Sequence, residues 1–446
     1  MKPVIAILIE YGFHEVKKYI HSGFYKKLSI DFKIIWFVID KKNEVLNDYF
    51  ESTGFPVVYL KFVAEEKPSL NIEILNNSVR KAWMRTQGIR LHHYYKQQRE
   101  VKLRDKFLGI GFIKTIIENN IFGSLRKYYH SQKLEKLFLE YRVDTIFTTS
   151  YRSTQSKEFI YTAQNLGFNS WFLVNSWKDL YLGNFLPNNL TGLFVWSESM
   201  KKQYLHHMPY LKSNSIYVSG NPTFDYMLFS EITYSREYYA KKYSINPNAD
   251  WLYYTMLPPG NLNDEIEIIR LIADALHKKY TSDEKIILLR RNPNHDIDDF
   301  IDANLPENVV LTDHYCTYDK KTDMILQSPE GEVEWFDLVN HVSINISVPS
   351  TVTLEFLLRE IPILNIGFGS KGEKDSRLDQ YIHSEFYKPL FKRKDVVLNH
   401  SVNELIINID KVKSVKEDND LSYRPKQGFA LSIIEILKNN QIIGTI

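Results

Sequence analysis

Cysteine is nearly absent. Cys316 is the only one in 446 residues, so neither an intrachain disulfide framework nor a thiolate metal cluster can form, and redox chemistry is not expected. The sequence holds no run of about 18 apolar residues of the kind a membrane-spanning helix needs. The stretch from Met1 to Glu10 enters a strand pattern directly, without the zones of a secretory signal. A cytoplasmic protein is therefore expected, at most resting on the inner face of the cytoplasmic membrane. Metal-ligand spacing is also missing. His92-His93 and His206-His207 are adjacent pairs that cannot share one face of a helix, and no metal site is expected.

What is present is ordinary for a globular enzyme: 44% hydrophobic and 25% charged residues. Aromatic content is high, with 29 Tyr and 26 Phe, which suits interfaces and carbohydrate platforms and equally follows from an AT-rich coding sequence. The length predicts two domains at roughly 100 to 200 residues each. The net charge of +2 hides an asymmetry. From Arg80 to Lys136 the chain carries fourteen Lys and Arg against four acids, a local balance of +10 that leaves −8 elsewhere. This aromatic-laced segment suits phospholipid headgroups, a polyprenyl-diphosphate acceptor or an anionic glycan, and otherwise reads as a solvated helical face. Nucleic acid is not an expected partner.

Strand and helix signals alternate along the first half: Val4 to Ile9, a helix around His14 to Leu28, Lys33 to Ile39, a helix near Glu44 to Ser52, and Pro56 to Leu60. That rhythm predicts a parallel sheet. The basic stretch interrupts it, with helices expected near Asn71 to Gln98, Leu103 to Glu118 and Ser124 to Tyr141, before alternation resumes at Asp144 to Thr148. Gly220-Asn221-Pro222 stops a strand and re-aims the chain, so domains of 1–222 and 223–446 are expected, with a helical insertion over about 70–141. A second alternating series runs from Trp251 to Ile366. Helices near Val402 to Val412 and Gln427 to Asn439 close the chain, and one of them is expected to cross back onto the first domain. The fold class is thus α/β, with two Rossmann-like doubly wound domains facing a central cleft, because open α/β sheets bind ligands beyond the carboxyl ends of their strands.

The most informative segment runs from Ile344 to Ile366: strand, hydroxyl-rich turn, helix, strand. The turn aims backbone N–H groups, with the Ser350 and Thr351 hydroxyls, beyond the strand end, which suits a diphosphate. Glu355 follows one helical turn after Thr351, where a carboxylate can accept from ribose hydroxyls. An ordinary helix cap followed by a surface Glu explains the same letters. Arg290 and Arg291 follow the strand Lys285 to Leu289, so Arg290 is placed at the carboxyl end as a phosphate contact. The first strand-to-helix turn carries Glu10, His14 and Glu15. The loop from Asn175 carries Asp179. All four are candidates for a general base, and each is otherwise a cap or a loop salt bridge.

Together these segments resemble one group of proteins. Tyr217 to Asp225, with Gly220-Asn221-Pro222, resembles the interdomain G-N-P-x-x-D segment of GT-B sugar-nucleotide enzymes, and Val195 to Met200 resembles the V-W-[SG]-E-x-M turn that precedes it. Leu289 to Pro293 resembles the R-x-H-P turn of surface-polysaccharide and teichoic-acid-type transferases, and Ser350 to Pro362 resembles their nucleotide-site helix. Order and spacing agree over roughly residues 140 to 390. Two departures stand out: Asn292 replaces the histidine of R-x-H-P, and Ser176-Trp177-Lys178-Asp179-Leu180 replaces S-W-D-N-L, moving the carboxylate by one position. The resemblance implies a GT-B glycosyltransferase of the capsule, O-antigen or teichoic-acid type. Gly220, Arg290, Ser350, Thr351 and Glu355 would lie at the donor, and Glu10, His14 and Asp179 would supply the catalytic groups. No cofactor is implied beyond the nucleotide-sugar donor, and the acceptor would be a surface glycan or a polyprenyl-diphosphate-linked oligosaccharide. A non-hydrolysing sugar-nucleotide 2-epimerase and a non-catalytic glycan-binding protein of the same fold are the alternatives.

Overall fold

The computed structural model describes residues 2–10, 12, 15–40, 43–61, 71–86, 103–182, 185–258, 262, 264–292, 305–312, 316–319, 324–375, 378, 382–415 and 428–443. The chain divides into two compact units, Met1–Tyr226 with Tyr423–Ile446, and Met227–Ser422. The division thus falls between Tyr226 and Met227, where the sequence reading set it after Pro222.

The first unit is built on a seven-stranded parallel sheet of β1 (Val4–Ile9), β2 (Lys33–Asp40), β3 (Val57–Lys61), β4 (Thr145–Thr148), β5 (Asn169–Leu173), β6 (Gly192–Val195) and β7 (Ile216–Val218), in the order β3-β2-β1-β4-β5-β6-β7. β1 is apolar throughout and buried on both faces, as a central parallel strand requires. It pairs Ile5 with Ile34 of β2 and, on the other side, with Thr145 of β4. The single helix expected from His14 to Leu28 is two: α1 (Val16–His21), wound with π-type pitch, and α2 (Phe24–Leu28). Gly23 separates them at φ +68°, a left-handed conformation that glycine adopts without cost from a side chain. α3 (Glu44–Glu51) follows, capped by the Asn43 side chain.

The insertion between β3 and β4 contains α4 (Asn71–Thr86), α5 (Leu103–Leu108), α6 (Gly111–Tyr128) and α7 (Gln132–Glu140). The expected boundaries shift. A turn at Gly109 divides the predicted Leu103 to Glu118 helix, α6 runs on to Tyr128, and Ser131 starts α7 afresh by accepting from the Leu134 N–H. The inner face of α4 mixes Val79, Ala82 and Met84 with Glu73, Asn76 and Arg80. Arg80 is fully buried against Glu118 at 2.9 Å, Lys114 reaches the same carboxylate at 2.8 Å, and Glu73 accepts from Tyr129 and Lys157 at 2.8 and 2.7 Å. Buried charges persist only when paired in this way, so part of the basic segment is neutralised inside the fold. α8 (Thr154–Asn165) and α9 (Glu198–His207) complete the crossovers, each begun by a serine cap.

The second unit carries a six-stranded parallel sheet of β8 (Asp250–Thr255), β9 (Lys285–Arg290), β10 (Val309–Leu311), β13 (Ile344–Ser347), β14 (Ile363–Ile366) and β15 (Val396–Asn399), in the order β10-β9-β8-β13-β14-β15. An antiparallel pair, β11 (Cys316–Asp319) and β12 (Met324–Gln327), stands apart from it. Neither this pair nor β15 was expected from the sequence. Helices α10 (Asp225–Phe229), α11 (Arg236–Tyr243), α12 (Glu265–His277), α13 (Pro329–His341), α14 (Thr351–Leu358) and α15 (Val402–Ile409) connect the strands, and the division between units falls within α10. Ile268 and Ile272 of α12, Ile287 and Leu289 of β9, Leu364 of β14 and Leu405 of α15 belong to one buried cluster.

The last helix, α16 (Phe429–Ile443), belongs to the first unit. Both carboxylate oxygens of Asp225 accept from its first turn, from Phe429 N–H at 2.7 Å and Ala430 N–H at 2.9 Å, which fixes the start of a helix whose first N–H groups have no partner inside it. Strand order reverses between β1 and β4 in one sheet and between β8 and β13 in the other. In open parallel sheets such points leave a crevice at the carboxyl ends.

Candidate functional site

In the first unit, the reversal point carries Glu10 directly after β1 and Thr149 directly after β4. His14 lies outside the described residues. Gly12, at φ +68°, folds the turn so that its carbonyl accepts from Glu15 and Val16. The fully buried Glu15 carboxylate then accepts from the Glu10 backbone N–H at 2.6 Å and from the Thr149 hydroxyl at 2.9 Å, tying the two strand ends together. The Glu10 side chain is buried, and its Oε2 has no hydrogen-bond partner among the described residues.

One helical turn after Glu15, Lys18 is buried and donates to Asn175 Oδ1 at 2.6 Å. Burial pushes its ammonium down to about 8, against the opposing pull of the Glu15 and Asp179 charges. Asp179 accepts from the Asn175 and Ser176 N–H groups at 3.1 and 2.8 Å through one oxygen and from Arg152 at 3.1 Å through the other. Burial raises its carboxyl above the usual range, while Arg152, the Ser176 N–H, Lys178 and Lys18 oppose the rise. A pocket of about 40 Å³ opens here, with Thr149, Arg152, Asn175 and Asp179 as its polar lining and Phe172, Tyr204 and Met208 among its apolar lining. The structure thus gathers Glu10, Glu15, Lys18 and Asp179 around one strand-reversal point. Lys18 and Arg152 were missed by the sequence reading. Glu15 to Lys18 is an i, i+3 acid–base pair, which was the available signal for the first; nothing local marks the second.

In the second unit, Arg290 ends β9 and its guanidinium lies 3.8 Å above the Trp335 ring of α13. The Trp335 indole N–H donates to Glu355 Oε2 at 2.6 Å. Tyr253 and Phe356 pack against the same indole with centroids at 5.5 and 5.4 Å. Trp335 therefore links two of the residues singled out from sequence, and the sequence reading missed it, since an aromatic on a helix is ordinary core. Ser350 sits at the N-cap of α14 and Thr351 opens it, both partly exposed beyond β13, while the Thr353 hydroxyl accepts from the Ser350 N–H at 3.1 Å. Glu355, one turn on, is 7% exposed. Arg290, Ser350, Thr351 and Glu355 are thus distributed around the carboxyl ends of β9 and β13.

Gly220 stands elsewhere, at the end of β7 with φ +72°. A Cβ built there would lie 1.9 Å from the Phe429 ring. Its side-chain-free backbone is what lets α16 dock, and the neighbouring Asp225 holds the same helix. The G-N-P-x-x-D segment therefore has a structural task in this chain that needs no ligand.

No protein-family model matches this sequence, and no curated protein does. Solved structures do resemble it. The UDP-GlcNAc 2-epimerase of Neisseria meningitidis bound to UDP-GlcNAc matches with a TM-score of 0.54 at 14% identity over 98% of this chain and 100% of that one. The S. aureus MnaA–UDP co-structure matches at 0.54 and 12% identity over 100% and 98%. A glycosyltransferase from Rickettsia africae matches at 0.50 and 11% identity over 98% and 94%. At these identities the likeness is one of fold: this chain has the two-unit, parallel-sheet α/β fold of the GT-B kind.

Proposed function

We propose that the chain is a glycosyltransferase that passes a sugar from a nucleotide-sugar donor to a surface-glycan precursor or a polyprenyl-diphosphate-linked oligosaccharide. The observation that carries the donor half is the linkage of Arg290 and Glu355 through Trp335 beside the start of α14. In this reading the diphosphate lies against the first N–H groups of α14 and the Arg290 guanidinium, where cation and helix dipole both favour negative charge. Glu355, oriented by the indole N–H, accepts from the ribose hydroxyls.

The acceptor half belongs to the first unit. An acceptor hydroxyl gives its proton to Glu10, and the oxygen pair forms the new bond to the anomeric carbon. The bond to the diphosphate oxygen breaks, and the leaving nucleotide carries away that electron pair. Glu10 is preferred to Asp179 as the base because Asp179 is engaged on both oxygens, whereas Glu10 Oε2 has no partner among the described residues. Asp179 then lines the pocket and Lys18 holds the lining residue Asn175, and neither moves the proton.

A second reading, a sugar-nucleotide 2-epimerase, is supported by the likeness to structures described as holding UDP-GlcNAc or UDP. The buried Lys18, held near neutral pKa beside two carboxylates, also suits proton transfer within a single sugar. Incubation with a panel of nucleotide sugars separates the two. Nucleotide release that depends on an added glycan acceptor supports transfer. Conversion to an isomeric nucleotide sugar with no acceptor present supports epimerisation and overturns the first reading.

A further inference from the structure

Five of the fifteen large hydrophobic side chains left exposed among the described residues fall in one stretch of the insertion: Leu103, Phe107, Ile110, Phe112 and Ile116. Leu103 is 84% exposed, Phe107 63% and Phe112 74%. The placement follows helical spacing on both sides of the Gly109 turn, since Leu103 and Phe107 on α5, and Phe112 and Ile116 on α6, are i, i+4 pairs. Elsewhere on α6, Lys114 and Glu118 are buried with Arg80. This part of α6 has the reverse of a soluble helix's usual polarity, with ion pairs inside and a phenyl ring outside. Water disfavours that arrangement unless something apolar covers the rings.

The surrounding charge decides what covers them. The segment from Arg80 to Lys136 carries +10 while the rest of the chain carries −8, and Lys106, beside Phe107, is exposed. A second copy would bring the same basic segment against itself in a two-fold contact, setting like charges face to face. An anionic lipid surface offers the opposite charge and an apolar layer beneath it. Among the described residues no helix is long and apolar enough to cross a bilayer, so attachment would be in the plane of the interface.

We propose that Leu103 to Ile116 is a membrane-docking edge, its apolar side chains entering the acyl boundary of an anionic bilayer while the basic insertion meets the lipid phosphates. This holds whether the chain transfers or epimerises sugars, and its test needs no nucleotide sugar. The probe is the full chain with sedimenting vesicles of phosphatidylcholine and phosphatidylglycerol, alongside vesicles of phosphatidylcholine alone. Binding is expected to the anionic vesicles and to persist in part from about 0.1 M to about 1 M salt, where attraction by charge alone is screened to about 3 Å. Phe107→Ser with Phe112→Ser should cut partitioning about tenfold or more while the melting temperature stays unchanged, because both side chains are exposed. Phe112→Trp should keep binding and add to the wild-type spectrum an indole emission that bromine-labelled acyl chains quench. This second variant decides the matter should the serine pair fail to fold. If the emission added by Phe112→Trp stays unquenched on bound vesicles, or if the chain does not bind at low salt, the proposal is overturned. So it is by concentration-dependent dimerisation abolished by the serine pair, which would make the edge an interface between copies.

Discussion

Glu265 opens α12 in the second unit and is buried, and its partners there are the Leu257 N–H, at 3.1 and 3.2 Å to its two oxygens, and the Tyr254 hydroxyl at 3.2 Å. Neither partner carries charge. Burial therefore outweighs these hydrogen bonds and pushes the carboxyl up from the usual 4.5 to about 8, with Asp264 adding to the rise. Because the folded chain holds this proton more tightly than the unfolded one, the group's contribution to stability is complete below pH 4.5. It is lost as pH rises toward 8 and levels off above that value. Each pH unit inside the window removes about 1.4 kcal/mol, on the order of 5 kcal/mol across it. Glu265→Gln keeps an oxygen for the Leu257 N–H and has no proton to lose. Amide hydrogen exchange of the β8 backbone, compared between variant and wild type at each pH from 5 to 9, should show the variant gaining protection relative to wild type by about tenfold per pH unit up to about pH 8. Parallel pH profiles would refute the assignment of a buried, proton-holding Glu265.

Gly220→Ala should destabilise the first unit by about 1–3 kcal/mol, because the new methyl group meets the Phe429 ring at a left-handed φ. Calorimetry on the variant checks this, and partial recovery in Gly220→Ala/Phe429→Leu would separate the clash from the backbone strain. Glu10→Gln should lower turnover about 10²- to 10⁴-fold, the ordinary worth of a general base, with nucleotide affinity unchanged; undiminished turnover would remove Glu10 from the reaction. Arg290→Ala and Glu355→Ala should each weaken nucleotide binding by about 10- to 100-fold in titration calorimetry, matching the loss of a charge-assisted contact of about 1.5–3 kcal/mol. Trp335→Phe keeps a ring under Arg290 but removes the donor to Glu355, so its effect should fall between wild type and Glu355→Ala.

The sequence alone determined that this chain forms parallel α/β sheets. Period-2 and buried apolar runs such as Val4 to Ile9, and helix starts such as Ser350-Thr351, are encoded between residues a few positions apart, and local spacing is what a sequence displays. For the same reason it marked Glu10, Asp179, Arg290, Ser350 and Thr351 as lying beyond strand ends and Glu355 as one turn into the helix that follows. It did not reveal where helices divide inside the insertion, because the Gly109 turn and the Ser131 cap interrupt patterns that read as continuous. Strand order was also hidden. Only the order β3-β2-β1-β4 places Glu10 beside Thr149, with Glu15 bridging them. Lys18 finds Asn175 across 157 positions, Asp225 holds the start of α16 across 204, and Trp335 reaches Glu355 from a different helix across 20. Each of these contacts depends on which strands became neighbours and on how helices packed over them. That choice is made by the burial of whole apolar faces and leaves no periodic trace at the residues it brings together.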